Sequence, residues 1–135
     1  MPHWFAALLV ALITCSAFLP IVENEFLDWD DRPNLLENLH YRRLGWSNVR
    51  WMYYLTNVVL HAIAAALFYH VAVRLLWVSS PGPPSVAAQA GAVVAALFFS
   101  IHPLRVDSVA WATEGSDALS GLWFLLAVLM YLHGA

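Results

Sequence analysis

The hydrophobic residues of this chain lie in long continuous stretches, separated by short polar segments. Four stretches are apolar over most of their length, at residues 3–22, 53–78, 86–101 and 118–135. A helix needs about 20 mostly apolar residues to cross the roughly 30 Å hydrocarbon layer of a bilayer. We therefore predict an all-α integral membrane protein with about four transmembrane helices, in which residues 1–135 form a single membrane domain.

The connection between the second and third stretches is short and uncharged. It reads Ser-Ser-Pro-Gly-Pro-Pro-Ser over residues 79–85, and these helix breakers predict a tight turn between two hairpin helices. Small residues at four-residue spacing allow close approach of membrane helices. They predict that the hairpin faces are Ala62 and Ala66 on one helix, and Ala87, Gly91 and Ala95 on the other.

The other two connections, residues 23–52 and 102–117, hold nearly all the charge. Ten charged residues lie in the first and four in the second, and Arg74 is the remaining one. With four spans, both connections lie on the same side of the membrane. Apolar residues recur at helical spacing in the first, at Leu35, Leu36 and Leu39 and at Trp46, Val49 and Met52. We expect two amphipathic helices there, lying in the interface with Trp46 and Trp51 at headgroup level.

Composition supports a membrane protein and excludes several other classes. Hydrophobic residues make up 61% of the chain and charged residues 11%, against about 45–50% and about 25% in soluble domains. The net charge of -3 offers no basic surface for a nucleic acid. Cys15 is the single cysteine, which excludes an internal disulfide and a cysteine zinc site. A lipoprotein signal ending at Cys15 is a weaker alternative to a buried apolar role.

Several strings resemble one glycosyltransferase family. They are Phe-Leu-Asp-Trp-Asp-Asp at residues 26–31, Leu-Gly-Trp-Ser-Asn-Val-Arg-Trp at 44–51, Tyr-Leu-Thr-Asn-Val-Val-Leu-His-Ala at 54–62 and His-Pro-Leu-Arg-Val-Asp-Ser-Val-Ala-Trp at 102–111. Together they are similar to the transmembrane-and-TPR-containing protein O-mannosyltransferases and their bacterial relatives. The resemblance implies part of a GT-C-like helical bundle, and a bacterial inner membrane is preferred over the endoplasmic reticulum membrane of a eukaryote.

The resemblance also implies a reaction, the transfer of a sugar from a polyprenyl-phosphate carrier to a hydroxyl of a protein or glycan. This chain departs from the family pattern in three ways. It is shortened between the first charged connection and the second helix, it ends after four spans, and it has Gly115 and Ser116 where relatives have basic residues. We therefore expect an N-terminal part of such an enzyme that is inactive as an isolated chain.

The catalytic candidates are Asp30 and Asp31. Direct transfer of a sugar needs a carboxylate that takes the proton of the attacking hydroxyl, and the resemblance favours Asp30 as this base. The alternative is that Asp31 caps an interfacial helix while Asp30 is only solvated. No cysteine cluster or His-x-x-x-His spacing predicts a metal site, although a divalent cation on the two carboxylates stays open.

Four residues of the second charged connection are candidates for binding the lipid phosphate: His102, Arg105, Glu114 and Asp117. A leaving phosphate gains negative charge, which a cation such as Arg105 stabilises. The alternatives are an ion pair of Arg105 with Asp107 or Glu114, and a helix N-cap role for Asp117.

Polar residues within the second helix have a different expected role. Asn57 and His61 share one helix face, which we expect to form hydrogen bonds between helices inside the bundle. His70 and Arg74 are expected to extend to the far interface.

Two other functions stay open from the sequence. One is a non-enzymatic helical module, or an inactive remnant, that packs with another membrane protein. The other is a transporter component in which Asn57, His61 and His70 line a polar path, although no ladder of charged residues supports it.

The orientation of the chain in the membrane is testable. Most Arg residues lie in the two charged connections, so the positive-inside rule places these in the cytoplasm, whereas the resemblance places them outside. We follow the resemblance and expect a cysteine at Ser47 or Ser108, in a Cys15→Ala background, to react with an impermeant reagent in intact cells. If labelling required permeabilised cells, the two charged connections would lie in the cytoplasm.

Overall fold

A computed structural model describes residues 3–24, 50–79 and 82–134 of the protein. Five α-helices are present there: α1 (His3–Phe18), α2 (Arg50–Ser79), α3 (Val86–Ile101), α4 (Arg105–Ala110) and α5 (Gly115–Gly134). Two short 3₁₀ helices are also present: Leu19–Glu23 follows α1, and Ala112–Glu114 precedes α5. The described ranges contain no strand, so the predicted all-α class is confirmed.

Three of the helical segments are long and apolar enough to cross a bilayer: His3–Glu23, Trp51–Ser79 and Ala112–Gly134. The remaining apolar helix, α3, has 16 residues and rises about 24 Å, which is less than the roughly 30 Å of hydrocarbon. The four predicted spans therefore comprise three full-length helices and one shorter apolar helix. The protein is an all-α membrane protein.

Helix α2 is the centre of the bundle, because it contacts every other described element. Tyr54 and Tyr69 on this helix are completely buried. Trp51 and Met52 lie in its first turn and are exposed, so they belong to the long helix and not to a separate interfacial one. The rest of both predicted interfacial helices falls at residues 31–49, outside the described residues.

Local chemistry explains where α3 begins and ends. The Ser85 hydroxyl caps its first turn by accepting a hydrogen bond from the Ala88 N–H at 3.2 Å. At the other end, Pro103 disfavours a helical conformation in the residue before it, and His102 has an extended backbone with ψ of 136°. In the turn before α3, Gly82 has a φ of +99°, a conformation that glycine adopts most easily.

The hairpin face predicted on α3 is wrong. Ala87, Gly91 and Ala95 are exposed, and a Cβ built on Gly91 meets no atom within 4 Å. The buried face of α3 is shifted by one residue and contains Ala92 and Ala96. These two alanines join one core cluster with Ala6, Ala7 and Val10 of α1 and Ala65, Tyr69 and Val73 of α2.

The physical reason for this rotation is that α3 packs against two helices at once. It contacts α1 as well as α2, so its buried face is turned toward the groove between them. The sequence offers two neighbouring stripes of small residues, and their spacing alone does not choose between them.

The corrected packing face predicts the effects of two matched substitutions. We expect Ala96→Leu to lower the free energy of unfolding by about 1–3 kcal/mol, because extra methylene groups overpack a closely filled interface. Gly91→Leu is the control and should leave stability unchanged within about 0.5 kcal/mol, since the position is exposed. Thermal unfolding of both variants in one detergent tests this. If Gly91→Leu lost more stability than Ala96→Leu, the packing face of α3 would be the one predicted from the sequence, which contains Gly91.

Candidate functional site

Asn57 and His61 join α2 to the two ends of the segment that links α3 and α5. The Asn57 Nδ2 donates to the Trp111 carbonyl at 2.8 Å, and the His61 Nε2 lies 2.9 Å from the Ser100 carbonyl. A carbonyl only accepts, so His61 donates through Nε2. Both side chains are buried. The expected hydrogen bond between helices is confirmed for His61, whereas the partner of Asn57 lies in the turn that follows α4.

A second buried contact joins α1 to the same level of α3. The Thr14 hydroxyl lies 2.8 Å from the Val10 carbonyl and 2.9 Å from the Ser100 hydroxyl. Ser100 therefore bonds α1 through its side chain and α2 through its carbonyl. Sequence reasoning did not single out Thr14 or Ser100, although a hydroxyl inside an apolar stretch is the signal that would have found both.

His102 and the residues after it form a compact turn that starts α4. The Leu104 N–H donates to Nδ1 of His102 at 3.3 Å, and the Arg105 N–H donates to the His102 carbonyl at 2.8 Å. Because Nδ1 accepts, the proton of the neutral ring is on Nε2. His102 is half-buried, and its Nε2–H is the group that remains for a ligand.

Arg105 is the first residue of α4, and an aromatic ring holds its side chain. The guanidinium carbon lies 4.5 Å from the centroid of the Phe99 ring, within the range of a cation–π interaction. The Phe99 ring stacks on Phe68, with centroids 4.6 Å apart and an angle of 5° between the planes. The cation is thus held against an aromatic surface of α2 and α3.

Two cavities meet at Arg105 and Phe99. The first, called the aromatic groove, has a volume of 550 Å³ and is lined mainly by apolar side chains: Phe68, Ala95, Phe98, Phe99 and Leu104, with His102 and Arg105. The second, called the polar pocket, has a volume of 240 Å³ and is lined by His61, Ala64, Phe99, Arg105, Ser108, Asp117, Ala118, Ser120 and Gly121. Arg105 is the charged side chain common to both.

The structure brings some of the predicted site residues together and leaves others apart. His102 and Arg105 both line the aromatic groove, and Asp117 joins Arg105 at the polar pocket. Glu114 lies in the 3₁₀ turn before α5 and lines neither cavity. The predicted catalytic residues Asp30 and Asp31 lie outside the described residues, so their role stays a prediction.

The N-cap role suggested for Asp117 is wrong. Helix α5 begins at Gly115, which places Asp117 inside the first helical turn. A carboxylate there still stabilises the helix, because the exposed N–H groups of the first turn carry partial positive charge. The helix starts earlier than predicted because the 3₁₀ turn Ala112–Glu114 runs directly into it.

Ser108 and Ser120 also line the polar pocket, and neither was predicted as a site residue. Ser108 lies one helical turn after Arg105, a spacing that places both on one face of α4. Within the described ranges, no group of three His, Cys, Asp or Glu side chains is placed to hold a metal ion. The possible divalent cation on Asp30 and Asp31 involves residues outside these ranges.

The close approach of α5 to α2 predicts that substitutions of Gly115 and Asn57 have non-additive effects on stability. A Cβ built on Gly115 lies 2.9 Å from Oδ1 of Asn57, and the amide of Asn57 is held by its bond to Trp111. We expect Gly115→Ala to cost about 1–3 kcal/mol of stability, since the Asn57 amide must leave its partner. The cost should fall markedly in an Asn57→Ala background, which a double-mutant cycle measures. Equal costs in both backgrounds would contradict the contact.

Comparison with known proteins finds relatives that are named protein O-mannosyl-transferases. The protein O-mannosyl-transferase tmtc2 of Xenopus laevis is 30% identical to this chain over 82 residues, which are 61% of the chain and 9% of that protein. For TMTC2 of Mus musculus the identity is 34%, again over 61% of the chain and 9% of the relative. For Tmtc1 of Drosophila melanogaster it is 35%, over 58% of the chain and 8% of the relative.

The chain thus spans less than a tenth of the length of these relatives. No protein-family model matches it, and no solved structure gives a significant match. The matches to these relatives confirm the resemblance that the sequence strings indicate. Over about 60% of its length, this helical membrane chain is similar to a short segment of the protein O-mannosyl-transferases.

Proposed function

We propose that this chain carries the donor-phosphate site of a membrane glycosyltransferase. The donor in this proposal is a sugar linked to a polyprenyl phosphate, and the acceptor is a hydroxyl of a protein or glycan. The relatives are named protein O-mannosyl-transferases, which favours mannose as the sugar and a protein as the acceptor.

The observation that carries this proposal is the position of Arg105 between two unlike cavities. A polyprenyl-phosphate sugar is amphiphilic, with a long apolar tail, a charged phosphate and a polar sugar. The aromatic groove suits the tail, and the polar pocket suits the sugar. Arg105 borders both cavities, so a phosphate there would pair with the guanidinium. The apolar tail would then lie in the aromatic groove and the sugar in the polar pocket.

The same geometry supports a role for Arg105 in the reaction. In a single displacement, the acceptor oxygen attacks the anomeric carbon and the bond to the phosphate oxygen breaks. The phosphate leaves with the electron pair, and its negative charge increases in the transition state. A cation fixed beforehand against Phe99 stabilises this charge without reorganising. The Nε2–H of His102 is a second donor on the aromatic-groove side of the guanidinium.

The proton of the attacking hydroxyl needs an acceptor, and Asp30 keeps this role in the proposal. The resemblance of residues 26–31 to the family string supports it. Asp117 lines the polar pocket and is the described carboxylate best placed to bind sugar hydroxyls. The named relatives come from animals, so they give no support to a bacterial inner membrane over an endoplasmic reticulum membrane.

Donor binding and sugar transfer test the proposal together. We expect the chain in nanodiscs to bind polyprenyl-phosphate mannose, and Arg105→Gln to raise the Kd about tenfold or more by removing a charged hydrogen-bond donor. Arg105→Lys is the matched control and should retain part of the affinity because it keeps the charge. Where the membrane preparation transfers sugar, Asp30→Asn should lower the rate by at least about 100-fold, since general-base catalysis contributes roughly 10²–10⁴.

Two outcomes would overturn these assignments. Equal donor binding by Arg105→Gln and the unaltered chain removes Arg105 from the phosphate site. Undiminished transfer by Asp30→Asn, at matched protein levels, removes Asp30 as the base. Absence of donor binding by the unaltered chain would favour the alternative of a non-enzymatic membrane module.

A further inference from the structure

A third cavity lies at the opposite end of the bundle from Arg105. Its volume is 380 Å³, and it is lined by His3, His70, Val73, Arg74, Trp77, Leu129 and His133. We call it the basic cavity. Its polar side chains come from three different helices, α1, α2 and α5, which are far apart in the sequence.

Arg74 is the charged residue of the basic cavity, and its position is fixed. The sequence predicts that Arg74 extends to the far interface. In the structure the side chain is half-buried and its Nε donates to the Leu132 carbonyl at 3.0 Å, and its extension to the interface stays a prediction. Leu132 lies in the last turn of α5, where carbonyls carry partial negative charge. Among the described residues this is the hydrogen bond that the guanidinium makes, and a guanidinium has further donors on its two Nη nitrogens.

Two histidines of the cavity, His3 and His133, also have a ring nitrogen without a hydrogen bond among the described residues. His133 uses Nδ1 on the Leu129 carbonyl at 2.8 Å, which leaves its Nε2. The Nδ1 of His3 is buried and has no hydrogen-bond partner among the described residues. A buried polar atom without a partner costs free energy.

The electrostatics of the cavity favour an anion. Among the residues that the structure describes, no carboxylate lines it, and the acidic ones lie at the other end of the bundle: Glu23, Asp107, Glu114 and Asp117. The described His side chains do not form a metal-binding cluster. An arginine held partly out of water without a nearby anion is unfavourable, and a bound anion compensates its charge.

The tryptophans beside the cavity point to the class of anion. Trp77 lines it, and both Trp77 and Trp4, near the start of α1, are exposed. Exposed tryptophans near helix ends are typical of the level of lipid headgroups, where phosphate groups lie. Planar guanidinium groups bind phosphate through two hydrogen bonds at once.

We propose that the basic cavity binds a phosphate group through Arg74, with His3, His70 and His133 as additional donors. The phosphate belongs either to a phospholipid headgroup or to a free anion in solution. This site is independent of the donor site proposed at Arg105, because the two lie at opposite ends of the bundle and share no lining residue.

The experiment uses the full chain in neutral detergent, in an Arg105→Gln background so that the other site does not contribute. Titrations with inorganic phosphate and with a short-chain phosphatidylglycerol, followed by calorimetry, give the affinity for each source. We expect Arg74→Gln to raise the Kd about tenfold or more, which corresponds to losing one charged hydrogen bond. Arg74→Lys should lose less, because it keeps the charge.

His133→Gln is a second variant that separates weaker binding from a loss of folded protein. His133 is exposed, so this variant should remain folded and still bind more weakly than the parent. Binding of the phospholipid alone assigns the site to a headgroup, and competition between both ligands assigns it to phosphate in general. Equal affinities of the parent, Arg74→Gln and His133→Gln would overturn the proposal, as would the absence of binding to both probes.

Discussion

The arrangement of this protein depends on one constraint, namely that polar groups inside an apolar bundle must bond to one another. Helix α2 carries Asn57 and His61 at a depth where lipid offers no partner. Their acceptors are the carbonyls of Trp111 and Ser100, which lie on either side of the segment containing α4. The same bonds that satisfy these side chains therefore fix the segment that carries His102 and Arg105.

A consequence is that the bundle has two chemically different ends. At one end, α4 places Arg105 between the aromatic groove and the polar pocket. At the other end, the last turn of α5 meets Arg74 and the histidines of the basic cavity. Each cation is held by its surroundings, Arg105 by the Phe99 ring and Arg74 by a helix-terminal carbonyl. Such fixed cations suit binding because little conformational entropy is lost when an anion arrives.

The candidate site was predictable from the sequence only in part. The sequence singles out His102 and Arg105 because Pro103 ends a helix beside the only cation of a polar segment, and the structure places both at the aromatic groove. Ser108 and Ser120 were missed because a serine in a polar segment or near a helix end carries no signal of its own. The role of Gly115 also came from the structure, since the closeness of its backbone to Asn57 depends on how α5 packs on α2.

The sequence by itself determined the class of protein, because apolar stretches of about 20 residues are typical of helices that cross a bilayer. It also determined the helix ends at Ser85 and Pro103, which depend on local backbone chemistry. Only the tertiary structure decided which face of α3 is buried. Alanine stripes ending at Ala95 and at Ala96 both suit close packing, and the choice depends on α1, which contacts α3 from a distant part of the chain.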